Sequence, residues 1–145
     1  MTQRDIRIEH RLPTPEEHRR IALSVGWEHS FNWPALPASL DASLGGVVAL
    51  VGETAIAMGR LVGDGAMYFY IQDVAVVPDY QGLGIGQQIV DALLQHIREH
   101  APGPVFVGLF ATDAAMPLYE RNGFSRGDMT GMFRIVRPGQ TGYCS

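Results

Sequence analysis

The sequence predicts a mixed α/β domain built on one central sheet. Three observations predict it: strand-type runs with apolar alternation, a long helix with one apolar side, and glycine and proline clusters that fall between those runs. The chain has 145 residues, 46% hydrophobic and 18% charged, which fits one folded domain. Its expected extent is 1–136, with a loose tail over 137–145.

Residues 6–12 alternate apolar and polar, as a half-buried strand does. Thr14-Pro15-Glu16-Glu17 is a helix start, with Thr as N-cap and Pro at the first helical position; that helix runs to about Val25 and stops at Gly26. Residues 27–44 hold two prolines and three large aromatics, and read as a short helix inside a mobile connection. Strands follow over 47–51 and 54–62, joined by Gly52-Glu53. Gly63-Asp64-Gly65 turns the chain into a long strand over 67–77, ended by Pro78. The helix over 84–100 carries Ile85, Ile89, Val90, Leu93, Leu94 and Ile97 on one side. After Pro102-Gly103-Pro104 come a buried strand over 105–110, a helix over 113–121 ended by Asn122-Gly123, and a last strand over 132–136; 124–131 has room for one more.

Net charge −4 argues against a general nucleic-acid binder. The single cysteine, Cys144, allows neither an internal disulfide nor a cysteine metal site, and the expected compartment is cytoplasmic. No apolar run reaches the length of a membrane span, about 18 residues or more. The histidines at 10, 18, 29, 96 and 100 lack metal-ligand spacing, so no metal is expected.

The chemistry concentrates where the long strand meets the long helix. A helix start presents free N–H groups and the positive end of its dipole, and glycines let phosphate oxygens approach the backbone. Gln81-Gly82-Leu83-Gly84-Ile85-Gly86 therefore reads as a phosphate or pyrophosphate site, the alternative being a ligand-free glycine turn. No lysine follows, which excludes a P-loop, and the dinucleotide fingerprint fails at Gln87 from Gly82 and at Ile89 from Gly84.

Gln81-x-x-Gly84-x-Gly86 after Val76-Val77-Pro78-Asp79-Tyr80 resembles the acetyl-coenzyme A signature of the GNAT acetyltransferase superfamily. Leu118-Tyr119-Glu120-Arg121-Asn122-Gly123-Phe124 resembles that family's second motif. The resemblance implies a central mixed, mostly antiparallel sheet flanked by helices, and transfer of an acetyl group from acetyl-CoA to an amine by direct attack through a tetrahedral intermediate. It implies that Val74, Ala75 and Val76 offer backbone groups to the pantetheine arm, that Gln81 to Gly86 wrap the pyrophosphate, and that Tyr119 protonates the leaving thiolate. A backbone N–H near Val74 would stabilise the oxyanion. Where many members carry Asn, this chain has Thr112, which keeps a hydroxyl for the cofactor or for capping the helix.

The proton acceptor is the open question. By strand alternation Tyr70, Gln72 and Val74 face one way and Ile71, Asp73 and Ala75 the other, unless a bulge breaks that parity. Asp73 is the strand's one carboxylate and the candidate base; its alternative is a buried structural aspartate. Glu28, His29 and relayed water are other candidates. Residues 105–110 have no ionisable side chain, so a glutamate base on that strand is not supported.

Trp27, Phe31 and Trp33 are expected either to line an aromatic acceptor pocket or to fasten a loose segment; Tyr70 and Gln72 complete the expected substrate set. The aromatic content and the stretches at 107–111 and 131–133 resemble the branch that acetylates arylalkylamines. The competing readings are a non-catalytic acyl-CoA sensor and a protein or peptide N-acetyltransferase. Dimerisation through the last strands is common in the family, so the resemblance leaves a homodimer open.

Overall fold

A computed structural model describes residues 5–139. Residues 1–4 and 140–145, with Cys144 and most of the expected tail, lie outside the described residues. The chain divides into two compact units, with the break between Leu109 and Phe110.

The first unit holds a five-stranded sheet in the order β1 (Ile6–Glu9), β2 (Gly45–Val51), β3 (Thr54–Gly63), β4 (Tyr68–Val76), β5 (Phe106–Gly108). All neighbours are antiparallel except β4 and β5, which run parallel. Helix α1 (Pro15–Ser24) starts as its sequence dictates. The Thr14 hydroxyl accepts the Glu17 N–H at 3.1 Å, and the Glu17 carboxylate accepts the Thr14 N–H at 2.8 Å, a reciprocal capping box. Between β3 and β4, one Asp64 carboxylate oxygen accepts the N–H groups of Ala66, Met67 and Tyr68 at 2.8, 2.9 and 3.0 Å, which fixes the turn.

The two faces of the sheet are covered by different helices. Ile21 and Ala22 of α1 pack into one cluster with Val48, Leu50, Ala55, Met58 and Ala75. On the other face lies α3 (Ile85–His100), whose Ile85, Ile89, Val90, Leu93 and Ile97 are buried. A Cβ on Gly59 would stand 2.8 Å from Ile89 Cγ2 and 3.0 Å from Leu93 Cδ1, so α3 sits as close to β3 as a bare backbone allows. Cover on both sides explains why 47–51 is buried without alternation.

The loop segments and the strands near the C-terminus differ in part from expectation. Residues 27–44 hold the expected short helix: a 3-10 turn (Trp33–Ala35) runs into α2 (Leu36–Asp41), and Leu36 and Leu40 are buried. The strand expected over 105–110 is cut to Phe106–Gly108, since its pairing with β4 spans only Tyr68–Phe106 to Tyr70–Gly108. In the second unit the strand expected over 132–136 does not form: Met132, Phe133, Ile135 and Val136 are exposed, and among the described residues of that unit no strand is present to pair with it. Nor does a strand form over 124–131.

The second unit is organised around α4 (Met116–Arg121). It starts later than residue 113 because Pro117 has no N–H and fits only a first turn. Asn122 Nδ2 donates to the Leu118 carbonyl at 2.7 Å, and Gly123 (φ 87°) turns the chain out of the helix.

Candidate active site

β4 is paired to β5 only as far as Tyr70. From there to Val76, no strand among the described residues pairs with that edge, so the backbone of Val74 and Val76 can take an added extended chain. Past Val76, a 3-10 turn (Pro78–Tyr80) leads into Gln81, whose side-chain amide donates to the Val76 carbonyl at 2.9 Å and ties the loop to the strand end. Gly82 (φ 79°) and Gly84 (φ 81°) hold left-handed conformations, and a Cβ on Gly82 would meet nothing within 4 Å. Gly84 is the N-cap of α3 with no side-chain cap. The first amides of this 16-residue helix are thus presented beside an exposed glycine turn, the donor set a pyrophosphate requires. Ile85 is buried, so it can contribute only its backbone, whereas Leu83 is partly exposed.

Immediately upstream, β4 carries a bulge. Met58 pairs with Ala75 and Arg60 with Gln72, so Gly59 alone opposes both Asp73 and Val74. Asp73 takes the extra residue's conformation, with φ 58°, the one non-glycine residue with positive φ among the described residues. The bulge breaks the simple alternation. Val74 lies on the α3 side, its Cγ2 3.3 Å from a Cβ position on Gly59, while Ala75 joins the α1 cluster. Asp73 turns to the α1 side, which it shares with Arg60 and Arg60's cross-strand partner Gln72.

There it meets two donors. Arg60 Nε donates to Asp73 Oδ2 at 2.7 Å, and His18 Nε2 of α1 donates to the same oxygen at 2.9 Å. Arg60 Nη1 donates to the Ser39 carbonyl at 3.1 Å and to the Ser39 and Ser43 hydroxyls at 3.0 Å each. Burial pushes the Asp73 pKa up, but the His18 hydrogen bond and the Arg60 charge outweigh it, and the carboxyl stays below its ordinary value. A carboxylate so held is a weak proton acceptor. His18 is fully buried, and among the described residues its Nδ1 has no hydrogen-bond partner.

The aromatic residues crowd over this network. His18 meets Phe31 and Trp33 edge-on, with ring centroids 5.0 and 6.1 Å away; Phe31 also stacks obliquely on Trp33 at 5.1 Å and on Trp27 at 6.2 Å. Trp33 Nε1 donates to the Glu28 carbonyl at 2.9 Å, and the Arg19 guanidinium lies 5.2 Å over the Trp33 ring. All three aromatics pack against the α1 cluster and so fasten their segment, and Phe31 also walls a cleft of about 190 Å³ with Ser39 and Arg60. Trp33 lines a separate hollow of about 220 Å³ with Arg19 and Leu36. Tyr70 stands against Phe106, with centroids 6.0 Å apart, and away from that cleft's lining. Glu28 and His29 form a solvent-exposed pair at 3.4 Å.

Tyr119 and Thr112 belong to the second unit. Tyr119 is 8% exposed, with its ring edge-on to Phe124 at 5.9 Å, and burial raises its phenol pKa. The Thr112 hydroxyl accepts the Ala115 N–H at 3.3 Å, so it is engaged at the entry to α4.

His18 and Arg60 were absent from the residues expected at the site. Both left a signal. His18, Ile21, Ala22 and Val25 fall at i, i+3, i+4 and i+7, which puts the histidine on the buried stripe of α1. Arg60 is the one charge inside an apolar strand, facing the one carboxylate of the next.

Residues 8–124 match the model of the acetyltransferase (GNAT) family. A GNAT-family acetyltransferase from Streptococcus pneumoniae is 31% identical, with a TM-score of 0.77 over 91% of this chain and 98% of that one. A protein of unknown function from meticillin-resistant Staphylococcus aureus is 28% identical, with a TM-score of 0.82 over 90% and 99%. The chloroplastic serotonin N-acetyltransferase 2 of Oryza sativa is 31% identical over 70 residues, 48% of this chain and 34% of that protein. The chain spans less than half the length of the curated relatives it matches.

Proposed function

This chain belongs to the acetyltransferase (GNAT) family and is an acyltransferase, and from that premise we propose that it moves the acetyl group of acetyl-CoA to the primary amine of a small molecule. The carrying observation is the open edge of β4 running into the glycine turn and the uncapped start of α3. These residues fit the donor: the Val74 and Val76 backbone suits an amide-bearing pantetheine arm, and Gly82 to Gly86 suit a pyrophosphate.

Acetyl-CoA supplies an activated thioester, and this chain's residues position it and manage protons. In the transfer the acceptor nitrogen bonds to the acetyl carbon and the C–S bond breaks. One proton leaves the nitrogen for solvent water and the thiolate takes one; the family motif around Tyr119 implies its phenol as that donor, recovering the proton from solvent. Burial raises the Tyr119 pKa, so the phenol is fully protonated at neutral pH. We assign Asp73 to positioning in place of the base role expected for it: its bonds to Arg60 and His18 hold the bulge that aims the Val74 backbone. Clefts of about 190 and 220 Å³ favour a compact acceptor over a peptide, and Phe31 and Leu36 suit an apolar body.

The test is thiol release from acetyl-CoA against arylalkylamines, amino acids, polyamines and peptides, with cofactor thermal shift on the same sample. Stabilisation with release on a small amine is the expected result. Stabilisation without release on any amine makes the protein a sensor, and no stabilisation at millimolar cofactor refutes the reading.

A further inference from the structure

We infer that the cleft beside Arg60 recognises a carboxylate, so that the acceptor is an α-amino acid with an apolar side chain; this rests on the acetyl-transfer reading. Arg60 is 8% exposed and lines that cleft. A guanidinium has five N–H donors in a rigid fork. The structure commits Nε to Asp73 and the Nη1 pair to Ser39 and Ser43. Among the described residues no acceptor meets the Nη2 pair, and Nη2 is not among the buried atoms that lack a partner. Nη2 therefore keeps solvent access, on a side chain that lines the cleft.

Its other walls sort by chemistry. Ser30 and Asn32 supply polar groups, and Phe31 and Leu36 an apolar surface. A ligand that filled the cleft without an acceptor atom would strip water from Nη2 and replace it with nothing. A carboxylate satisfies Nη2 with charge-assisted bonds, roughly twice as strong as neutral ones. An ammonium group has no lone pair to accept from Arg, and a neutral amine accepts only one uncharged bond. The cleft, at about 190 Å³, is smaller than the roughly 300–1,000 Å³ that holds drug-sized ligands, and suits an acceptor of amino-acid size.

The position fits the reaction. Arg60 touches Asp73, the residue before Val74, on the strand whose open edge suits the thioester arm. In an α-amino acid the amine is two bonds from the carboxylate carbon. A carboxylate on Nη2 thus holds the nucleophile within a few bonds of the guanidinium that also binds the Asp73 side chain. A plain arylalkylamine would have no group to place there.

The experiment compares matched acceptors on the full chain: phenylalanine against 2-phenylethylamine, and leucine against 3-methylbutylamine, by thiol release. The expected result is a kcat/KM about 10- to 100-fold higher for each amino acid, as one charge-assisted contact implies. Arg60→Lys, which keeps the charge and loses the fork, should collapse that ratio chiefly through KM for the amino acid. Equal or better use of the plain amines by the wild-type protein overturns the inference without any variant. A binding arm separates the two readings. 3-Phenylpropionate, which has no amine, should stabilise the wild-type protein saturably and Arg60→Lys less. If it does so while no acceptor releases thiol, the acetyl-transfer reading fails and the carboxylate site stands. If it does not bind at millimolar concentration, the carboxylate site fails.

Discussion

Replacing Asp73 probes the backbone and the ion network of the site together. Three substitutions separate the terms. Asparagine tolerates the positive φ of 58° and keeps one oxygen for Arg60 or His18, but removes the charge from a carboxylate that serves two donors. Arg60, 8% exposed, would be left without its counter-charge and with only neutral partners on Ser39 and Ser43. Breaking a buried ion pair from one side costs roughly 3–5 kcal/mol, and the remaining bonds and oxygen bring Asp73→Asn to about 2–3 kcal/mol. Asp73→Gly keeps the backbone relaxed but loses both bonds, about 3–4 kcal/mol. Asp73→Ala loses both and adds about 1 kcal/mol or more for an alanine at positive φ. The expected order of stability is Asn, then Gly, then Ala, read from urea midpoints at pH 7. Equal midpoints for Gly and Ala would refute the backbone part of the reasoning, and Asp73→Asn within 0.5 kcal/mol of wild type, roughly the scatter of a neutral surface change, would refute the network part. The pH dependence follows from the same bonds. The folded-state pKa of Asp73 is lowered, so its contribution is complete above the unfolded carboxylate value, about 3.9, and is lost as pH falls through the folded value. Asp73→Asn should flatten that acid limb.

Tyr119→Phe should leave the cofactor thermal shift intact and cut turnover about 100-fold or more; unchanged turnover removes Tyr119 from the mechanism. Gly84→Asp puts a side chain and a negative charge where φ is 81° at the start of α3, and should abolish cofactor stabilisation; intact binding sinks the pyrophosphate assignment. Gly59→Ala would press a Cβ to 2.8 Å from Ile89 Cγ2 and should lower stability by about 1–3 kcal/mol, which a melting curve measures; an unchanged melting temperature would mean α3 yields freely. Burial, with the nearby His100 and His10, lowers the His96 pKa. Its neutral form is therefore favoured in the fold, and stability should drop as pH falls below about 6.5. His96→Gln should make melting temperatures between pH 7 and pH 5 flatter, and an equally steep drop in the variant would contradict this.

Much of the first unit was readable in the sequence because its signals are local. The Thr14–Glu17 box, the apolar side of α3 and the glycine turn at 82–86 each announce themselves within a few residues. What escaped depends on partners distant in the chain. The bulge at Asp73, left open by the sequence, lacks the glycine that usually marks one, so simple alternation grouped Val74 with Gln72, which in fact shares the face of Asp73. The Arg60–Asp73–His18 cluster joins residues up to 55 positions apart, and only the oddity of each lone polar residue on an apolar stripe hinted at it. Residues 132–136 have strand composition, yet composition cannot supply the neighbour that a ladder needs. The aromatic cluster was readable as residues, but not as a wall shared between the core and a cleft.

The pairing of Arg60 with Asp73 also constrains how this protein can diverge. Either residue changed alone strands a charge in the interior, at a cost comparable to a large share of the roughly 5–15 kcal/mol that holds a domain folded. Both exchanged together for well-packed apolar residues would lose much less. A lineage drifting toward a different acceptor would therefore cross a valley one mutation wide but several kcal/mol deep. The residue that reads the substrate is protected from change by the stability of the sheet it sits in, and altering specificity here calls for a concerted replacement at 60 and 73 rather than a walk through single steps.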